Sequence, residues 1–230
     1  MGLFVTIEGG DGSGKATQAA RLSEYAEHEL ELDVLSVTFP QYGANIGADI
    51  VGRYLANEYG NPIGIAADLA SLPYAIDRFT AKDLIVGHLQ KRRGIVISDR
   101  YVASNLAHQG TKFETDEERH AYYARMRELE YGLFGIPEPD MNIVLLVKTA
   151  LTQRNIDQKA ARTYTDLRRD GHEANTDHLA HARANYEELT RLYPESFTAV
   201  DCVADEETMR SIGSIQEEIQ SLVLTTYESK

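Results

Sequence analysis

A glycine-rich segment near the beginning of the chain, residues 9–18 with the sequence GGDGSGKATQ, carries residue types that bind phosphate groups. Its glycines allow successive backbone N–H groups to turn toward one anion, and Lys15 can reach the terminal phosphates of a nucleotide. The segment follows an apolar stretch and precedes a helical pattern, which is the context that a nucleotide phosphate loop requires. We therefore predict a nucleotide-binding loop here.

Ala16 departs from the usual pattern of such a loop at the position that handles magnesium. A Ser or Thr normally follows the lysine, because its hydroxyl binds the Mg²⁺ that accompanies ATP. Thr17 does not replace it, since one residue along a helix turns the side chain by about 100°. Magnesium is expected to depend instead on phosphate oxygens, water and nearby carboxylates, for which Asp11 and Asp99 are the candidates.

A carboxylate and a guanidinium stand together at the end of a later apolar stretch, as Asp99 and Arg100. An acidic residue at the carboxyl end of a parallel strand faces the crevice where ligands bind, so Asp99 can organise magnesium or its water. Arg100 can bind a second phosphate group. Such a pair is more often an ordinary ion pair, but its setting in a phosphate-loop protein favours a catalytic role.

The segment 151–172 is basic within an acidic chain. It carries five cations and three acids, a net charge of +2, whereas the whole chain has a formal net charge of −13. It is also poor in large apolar residues, so it is a candidate lid that closes over an anionic ligand. On composition alone, a solvated helical hairpin of mixed charge is the alternative.

Short β-branched stretches alternate with longer amphipathic ones, which predicts an α/β fold of repeated β–α units around a parallel sheet. The predicted strands are residues 3–8, 34–39, 95–99, 142–147 and 198–201. The predicted helices span residues 15–30, 44–58, 66–91, 116–133, 176–192 and 206–224, with ends uncertain by roughly 2 to 4 residues.

Composition narrows the class of protein and of partner. The 230 residues fit one globular domain, and the net charge of −13 argues against DNA or RNA as the main partner. Cys202 is the single cysteine and cannot form an internal disulfide, which suits a reducing compartment. No apolar run approaches the roughly 20 residues of a membrane span. We expect a cytoplasmic protein with no nucleic-acid or membrane partner.

Ordered blocks of sequence make the chain resemble the thymidylate kinases, a family of P-loop nucleoside monophosphate kinases. The phosphate loop is shared by many activities, but the order of the remaining blocks is specific, and the resemblance covers nearly the whole chain. The blocks are EGGDGSGK (8–15), FPQY (39–42), AIDR (75–78), DRYVASN (99–105) and PEPD (137–140), followed by the pair Asp170 and Glu173.

The resemblance implies transfer of the γ-phosphoryl group of ATP to dTMP, with Mg²⁺ as cofactor. It also implies a three-layer P-loop fold, with a five-stranded parallel sheet flanked by helices and a mobile lid, usually in a homodimer. Two alternatives stay open, a kinase for another pyrimidine nucleotide such as dUMP or UMP and a non-catalytic nucleotide-binding regulator. The residues assigned to ATP are Gly10, Asp11, Gly12, Ser13, Gly14, Lys15, Ala16 and Thr17.

The acceptor nucleotide receives its own set of residues from the resemblance. Phe39 and Tyr74 would line or stack on the thymine, because a flat apolar base packs well on aromatic faces, although both could instead be core aromatics. Arg78 and Asn105 would hydrogen-bond the edge of the base. The full dTMP set is Asp11, Phe39, Tyr42, Tyr74, Arg78, Arg100, Asn105 and His108. Within it, Asp11 would contact the sugar 3′-hydroxyl, and Tyr42 and Arg100 would hold the acceptor phosphate.

Catalysis of this kind depends on aligning donor and acceptor and neutralising the transferring group. The loop tip Asp11-Gly12-Ser13 carries no cation, so the resemblance implies that the lid supplies one. The candidate lid cations are Arg154, Lys159 and Arg162. The resulting catalytic set is Lys15, Asp99, Arg100, Arg154 and Arg162, and the metal set is Asp11, Asp99 and Glu173.

Two further positions depart from the family pattern. Gln41 stands in or next to a place where many relatives carry an arginine near the acceptor phosphate, so one cation is expected to be missing. His108 occupies a position where relatives commonly have Tyr or Phe against the sugar. We therefore expect weaker discrimination against UMP than is usual in the family.

Overall fold

A computed structural model describes residues 2–157, 176–205 and 207–230. The strands of this part of the chain are β1 (Leu3–Gly9), β2 (Asp33–Thr38), β3 (Gly94–Asp99), β4 (Met141–Leu146) and β5 (Phe197–Asp201). They pair in parallel in the order β2-β3-β1-β4-β5 and form a five-stranded sheet. The predicted α/β fold with a five-stranded parallel sheet is confirmed, and each predicted strand is found within two residues of its expected ends.

Helices connect the strands and cover the sheet. Those of the described residues are α1 (Lys15–His28), α2 (Ile46–Leu55), α3 (Ala67–Thr80), α4 (Lys82–Leu89), α5 (Val102–Gly110), α6 (Asp116–Arg127), α7 (Thr149–Asp157), α8 (Thr176–Leu192) and α9 (Ile212–Glu228). A 3₁₀ turn, Pro62–Gly64, precedes α3, and a π-helical turn, Glu128–Leu133, continues α6.

The predicted helices differ from the structure in four places, one of which is α7, a helix that was not predicted. The helix expected at 66–91 is divided, because the Thr80 hydroxyl and the Ala81 N–H donate to the carbonyls of Asp77 and Arg78 and end α3. The last helix begins at Ile212 rather than 206. Helix α5 was not predicted, although its sequence is amphipathic, with apolar residues at 102, 103, 106 and 107 and polar residues at 104, 105, 108 and 109.

Two hydrophobic clusters lie on opposite faces of the sheet. Alternating strand residues divide between them, so that Phe4 and Val96 belong to one cluster while Val5 and Ile97 belong to the other. The first cluster is packed against α3 to α6 and α8, and the second against α1, α7 and α9. The result is a layer of helices on each side of the sheet. Within the described ranges, no helix has the length and apolar character that crossing a membrane requires.

A carboxylate on α8 joins this helix to α6. Glu188 accepts hydrogen bonds from Arg119 at 2.7 and 2.9 Å, from His120 at 2.9 Å and from the Tyr123 hydroxyl at 3.2 Å. Its side chain is only 13% exposed. The Arg119 hydrogen bonds, helped by His120, lower the pKa of Glu188 from its ordinary value of 4.5 to about 2.

Replacing Glu188 with glutamine is expected to lower the free energy of unfolding at pH 7 by about 1–3 kcal/mol, because charge-assisted hydrogen bonds are lost. A carboxyl group with a lowered native pKa stabilises the fold above its unfolded pKa and loses this contribution as the pH falls through the native value. The difference between wild type and variant should therefore shrink from pH 4.5 toward pH 2. Urea unfolding at several pH values measures it, and a constant difference would contradict the prediction.

Candidate active site

The phosphate loop connects β1 to α1 and has the backbone that its glycines predict. Gly12 has a φ of 79°, and a Cβ atom there would lie 2.4 Å from the carbonyl oxygen of Thr152. Gly14, with a φ of 92°, occupies the N-cap of α1, and no side chain caps this helix. The first N–H groups of α1 therefore point out of the helix end without a side-chain cap, as an anion site at a helix N-terminus requires.

Lys15 begins α1 and lies along the loop. Its side chain is 6% exposed, and Nζ donates a 2.7 Å hydrogen bond to the carbonyl of Gly10. Ala16 and Thr17 are exposed beside it, so a hydroxyl introduced at position 16 would not be buried.

Arg100 stands where β3 ends, beside the phosphate loop. Its φ is 68°, and its N–H donates to the carbonyl of Ile7 at 3.0 Å. The guanidinium donates to the carboxylate of Asp11 and, at 3.1 Å, to the hydroxyl of Ser104. Burial by itself lowers the pKa of this guanidinium, but the charge of Asp11 and other nearby groups raises it above the ordinary value. Arg100 is thus a permanent cation next to the loop.

Asp99 supplies a carboxylate at the same edge of the sheet. Its Oδ1 is buried and, among the described residues, has no hydrogen-bond partner. A buried carboxylate oxygen of this kind calls for a cation or a water molecule. Within the described part of the chain there is no group of three or more His, Cys, Asp or Glu that could hold a metal by itself. Asp99 therefore fits a metal whose other ligands come from the nucleotide and from water.

A second carboxylate lies behind Arg100 and was not identified from the sequence. Glu8, fully buried in β1, accepts hydrogen bonds from the N–H of Tyr101 and the hydroxyl of Ser104, both at 2.6 Å, and from the hydroxyl of Tyr186 at 3.4 Å. Burial raises its pKa above the ordinary value, against these hydrogen bonds and the charge of Arg100. An acidic residue inside an apolar strand was the signal in the sequence that could have marked it.

Arg78 and Glu130 form a buried ion pair at the other end of the site. The two side chains are 2% and 0% exposed, and Glu130 accepts from Nε and Nη2 of Arg78 at 2.6 and 2.7 Å. A third hydrogen bond runs from Nη1 to the carbonyl of Tyr101 at 3.3 Å. Burial lowers the pKa of the guanidinium, but the charge of Glu130 raises it above the ordinary value. Glu130 was missed, and nothing in its local sequence distinguishes it from exposed acids nearby.

Asn105 lies beside this pair on α5. Its Nδ2 is 3.4 Å from the carbonyl oxygen of Ser71 and 3.5 Å from Oε1 of Glu130. Its Oδ1 is buried and has no hydrogen-bond partner within the described ranges. A buried amide oxygen without a partner is suited to accept a hydrogen bond from a ligand.

The aromatic candidates belong to the core and to the site at once. Phe39 is 3% exposed, and its ring centroid lies 5.6 Å from that of Tyr101. Tyr74 is half-buried and meets Tyr54 edge-on, with ring centroids 6.4 Å apart. Both rings also line the cleft described next, so the core and ligand-binding interpretations do not exclude each other.

These side chains surround one cleft of about 680 Å³, a volume within the range of small-molecule sites. Among the residues assigned from the sequence, those that line it are Asp11, Gly12, Ser13, Gly14, Lys15, Ala16, Thr17, Phe39, Tyr42, Tyr74, Arg78, Asp99, Arg100, Asn105 and His108. The sequence did not identify the lining residues Met209, Arg210, Ile212 and Ile215. Three of these four side chains are apolar.

Other assigned residues lie elsewhere. Gly10 borders a smaller hollow beside the loop. Arg154 is exposed and does not line the cleft, and its guanidinium donates to the carbonyl of Glu207 at 3.4 Å. Arg162, Lys159 and Glu173 fall outside the described residues. The beginning of the expected lid, Leu151 and Thr152, is buried in α7 and is part of the packed structure.

Gln41 is engaged with a buried carboxylate. Its N–H and its Nε2 each donate to a carboxylate oxygen of Asp77 at 3.0 Å. Asn45 donates to the same carboxylate at 2.7 Å. The amide at position 41 therefore holds Asp77 in place, and it brings no positive charge to the site.

Comparison with known proteins gives consistent matches. The model of the family described as "Thymidylate kinase" matches residues 7–212. Thymidylate kinase of Mycobacterium tuberculosis is 32% identical over 187 residues, 81% of this chain and 85% of that protein. The enzyme of Clavibacter michiganensis is 30% identical over 230 residues, 96% of each chain.

The fold is similar to that of solved structures. Thymidylate kinase from Candida albicans superimposes with a TM-score of 0.69 at 20% identity, covering 100% of this chain and 94% of that one. The Ehrlichia chaffeensis structure gives a TM-score of 0.63 at 17% identity, covering 96% of this chain and 98% of that one.

Proposed function

Because the chain belongs to the thymidylate kinase family, we propose that the cleft is the place where it transfers the γ-phosphoryl group of ATP to dTMP. The chain is an ATP-dependent nucleoside monophosphate kinase, and its products are dTDP and ADP. The observation that carries the proposal is the joining of a phosphate loop to a buried Arg78–Asn105 corner within one cleft. The phosphate loop offers N–H groups to phosphates, and the Arg78–Asn105 corner offers a donor and an acceptor to the edge of a base.

The acceptor end is proposed to recognise thymine by hydrogen bonds and by apolar contact. Glu130 occupies two N–H groups of Arg78 and fixes its plane, so the remaining N–H groups have a set direction. Asn105 Oδ1 can accept the N–H of a pyrimidine edge. Tyr74 and Phe39 supply aromatic surface for the ring.

Arg100 and Tyr42, which both line the cleft, are proposed to hold the acceptor phosphate. Asp11 forms an ion pair with the guanidinium of Arg100. In the complex with dTMP, Asp11 is proposed to contact the 3′-hydroxyl of the sugar. Lys15 and the N–H groups of the loop are proposed to hold the phosphates of ATP. Alignment of the two phosphates, rather than a covalent intermediate, is then what the residues of the site contribute.

Magnesium is proposed to bind at Asp99 together with phosphate oxygens and water, because Oδ1 of Asp99 lacks a partner among the described residues. When bound, the ion would neutralise charge on the phosphates. Asp11 is a weaker candidate ligand, since its carboxylate already accepts a hydrogen bond from Arg100. Glu173 remains a proposed ligand from the segment outside the described residues.

Replacing Ala16 with serine is expected to change kcat by less than roughly tenfold, which corresponds to about 1.4 kcal/mol in the barrier. Position 16 is exposed at the start of α1, so the hydroxyl adds a metal ligand without disturbing packing. Turnover at several Mg²⁺ concentrations measures the effect, with Thr17→Ala as the control variant. A gain of several hundredfold would show that the natural loop is catalytically impaired.

The segment 151–172 is proposed to act as a lid on a single domain of 230 residues. Its cations Arg154, Lys159 and Arg162 are the proposed source of positive charge at the γ-phosphate, because the loop tip has none. Closure would also keep water from the transferring group. A cytoplasmic location is proposed from the single cysteine, Cys202, which is buried and free.

The function is tested by coupled ADP release with dTMP, dUMP, UMP, CMP, AMP and thymidine as acceptors, with and without Mg²⁺. We expect dTMP to give the highest kcat/KM and Mg²⁺ to be required. We also propose that the wild type discriminates less strongly between dUMP and UMP than a His108→Tyr variant does. Turnover on none of the acceptors would leave only a nucleotide-binding role and would overturn the proposal.

A homodimer is proposed from an apolar stripe on α3. Leu69, Leu72 and Phe79 are 64%, 38% and 47% exposed, and their spacing places them on one side of the helix. A Leu69→Asp variant is expected to shift sedimentation toward the monomer at micromolar concentration. Leu192→Asp, at an exposed leucine on α8, is the control and should leave the sedimentation unchanged. A monomeric wild type would contradict the proposal.

A further inference from the structure

A polar cluster lies behind Arg100, with the hydroxyl of Ser104 at its centre. Nη1 of Arg100 donates to this hydroxyl at 3.1 Å, and the hydroxyl donates to Oε2 of Glu8 at 2.6 Å. The hydroxyl oxygen of Tyr186 lies 2.9 Å from it. The four side chains come from β1, α5, α8 and the residue after β3, so the cluster ties separate parts of the fold together at one oxygen atom.

The residue types decide the direction of these hydrogen bonds. A guanidinium only donates, so the oxygen of Ser104 must accept from Arg100. The N–H of Tyr101 donates to Oε1 of Glu8 at 2.6 Å, and the charge of Arg100 also favours the ionised carboxyl group, although burial opposes it. An ionised carboxylate only accepts, so the one hydrogen of Ser104 is directed to Glu8. A hydroxyl that donates to a carboxylate is polarised and becomes a stronger acceptor for Arg100.

Two carboxylates support the guanidinium, and Glu8 is the more firmly fixed of them. Asp11 belongs to the phosphate loop, is 17% exposed and lines the cleft, in reach of a nucleotide. Glu8 is 0% exposed in β1, a strand that is paired with β3 on one side and with β4 on the other. When Asp11 contacts the sugar of dTMP, as proposed above, the Ser104 side still holds Arg100.

We propose that Glu8 is a positioning residue for Arg100 and acts through the hydroxyl of Ser104. With Nη1 held by Ser104 and Nη2 held by Asp11, the plane of the guanidinium is set, and its remaining N–H groups have fixed directions for the acceptor phosphate. The contact with that phosphate rests on the proposed function. The hold on the guanidinium rests on the contacts of Glu8, Ser104 and Arg100.

The change Glu8→Gln removes the charge while it keeps the size of the side chain. The N–H of Tyr101 needs an acceptor, so the amide oxygen of the variant should turn toward it and the amide NH₂ should face Ser104. Ser104 would then accept from position 8 instead of donating to it, and no carboxylate would polarise its hydroxyl. Ser104→Ala removes the link itself.

Rotation of the guanidinium tests the hold independently of catalysis. In ¹⁵N-arginine-labelled protein at about pH 8, above the ordinary carboxyl pKa, exchange between the two Nη signals of Arg100 measures this rotation. The Arg100 signals are assigned by their loss in Arg100→Lys. We expect slower rotation than for Arg93, which is 53% exposed, and an increase of roughly threefold or more in both Ser104→Ala and Glu8→Gln. An unchanged rate in both variants would overturn the proposal.

Kinetics tests whether the two residues act as one chain. At saturating ATP, Ser104→Ala is expected to lower kcat/KM for dTMP about tenfold, and Glu8→Gln roughly three- to tenfold. The double variant should stay within about twofold of Ser104→Ala, because residues that act through each other are not additive. Ser23→Ala, at a serine on α1 that does not line the cleft, is the control and should have wild-type kinetics.

The KM for ATP distinguishes positioning of Arg100 from damage to the phosphate loop, because Glu8 directly precedes that loop. It should stay within about twofold of wild type in both single variants. A comparable rise in the KM for ATP, or multiplied losses in the double variant, would refute the proposal. If Glu8→Gln fails to fold, wild-type rotation and kinetics in Ser104→Ala would refute it as well. Absence of turnover on every acceptor would refute the proposed function, and the rotation rates would still decide the hold.

Discussion

Replacing Arg100 with lysine is expected to lower kcat/KM for dTMP by about 10²–10³-fold, or roughly 3–4 kcal/mol of transition-state stabilisation. The guanidinium is held from both sides, by Asp11 and by the Ser104 hydroxyl, so its remaining N–H groups have a fixed direction. A lysine keeps the charge but not the planar fork that binds a phosphate through two hydrogen bonds. Steady-state kinetics at saturating ATP measures the loss.

The loss should appear mainly in kcat if Arg100 aligns the acceptor phosphate, and mainly in KM if it only binds it. Arg93→Lys, at an arginine that is 53% exposed, is the matched control and is expected to have wild-type kinetics. Thermal unfolding separates folding from function. A decrease of less than about fivefold in kcat/KM with an intact fold would show that Arg100 is an ordinary ion-pair partner of Asp11.

Replacing Glu130 with alanine is expected to affect both stability and nucleotide binding. The guanidinium of Arg78 would stay buried without its carboxylate, which costs about 3–5 kcal/mol in the free energy of unfolding. The KM for dTMP is expected to rise more than about tenfold, because Arg78 loses the two hydrogen bonds that set its plane. Denaturant unfolding and steady-state kinetics measure the two effects.

A double variant separates the two consequences. Arg78→Met with Glu130→Leu removes both charges and should recover most of the stability, since apolar replacement of a buried ion pair is often neutral. It should not recover dTMP binding. Glu58→Ala breaks the exposed ion pair with Arg53 and is the control, with an expected change below about 1 kcal/mol. Recovery of dTMP binding in the double variant would refute a role for Arg78 in recognising the base.

That the residues proposed for the phosphates lie together could be predicted from sequence, because they are close together in the chain or end a strand. Lys15 follows the loop directly, and Asp99 and Arg100 end β3, which lies next to β1 in the sheet. Parallel strands bring such residues to one edge of the sheet whatever the details of packing. These residues therefore line one cleft.

The supporting residues could not be predicted in the same way, because their role depends on burial and on partners far away in the sequence. Glu130 is 52 residues from Arg78, and Glu8 is 96 residues from Ser104. Glu128 and Glu130 look alike in the sequence, and only packing makes one of them a buried partner. The burial of α5 was equally hidden, since its sequence has a polar side, and only packing buries Asn105, His108 and Gln109 on that side.

The burial of α5 also affects how much conformational entropy the protein loses when a nucleotide binds. A helix covered on nearly every side opens to solvent only when a large part of the domain unfolds, so its amide hydrogens should exchange among the slowest in the protein. Asn105 and His108 are carried on this helix, and their side chains are already held by neighbours before any nucleotide arrives. The proposed thymidine side of the cleft is therefore preorganised, and little conformational freedom would be lost there if the acceptor binds as proposed.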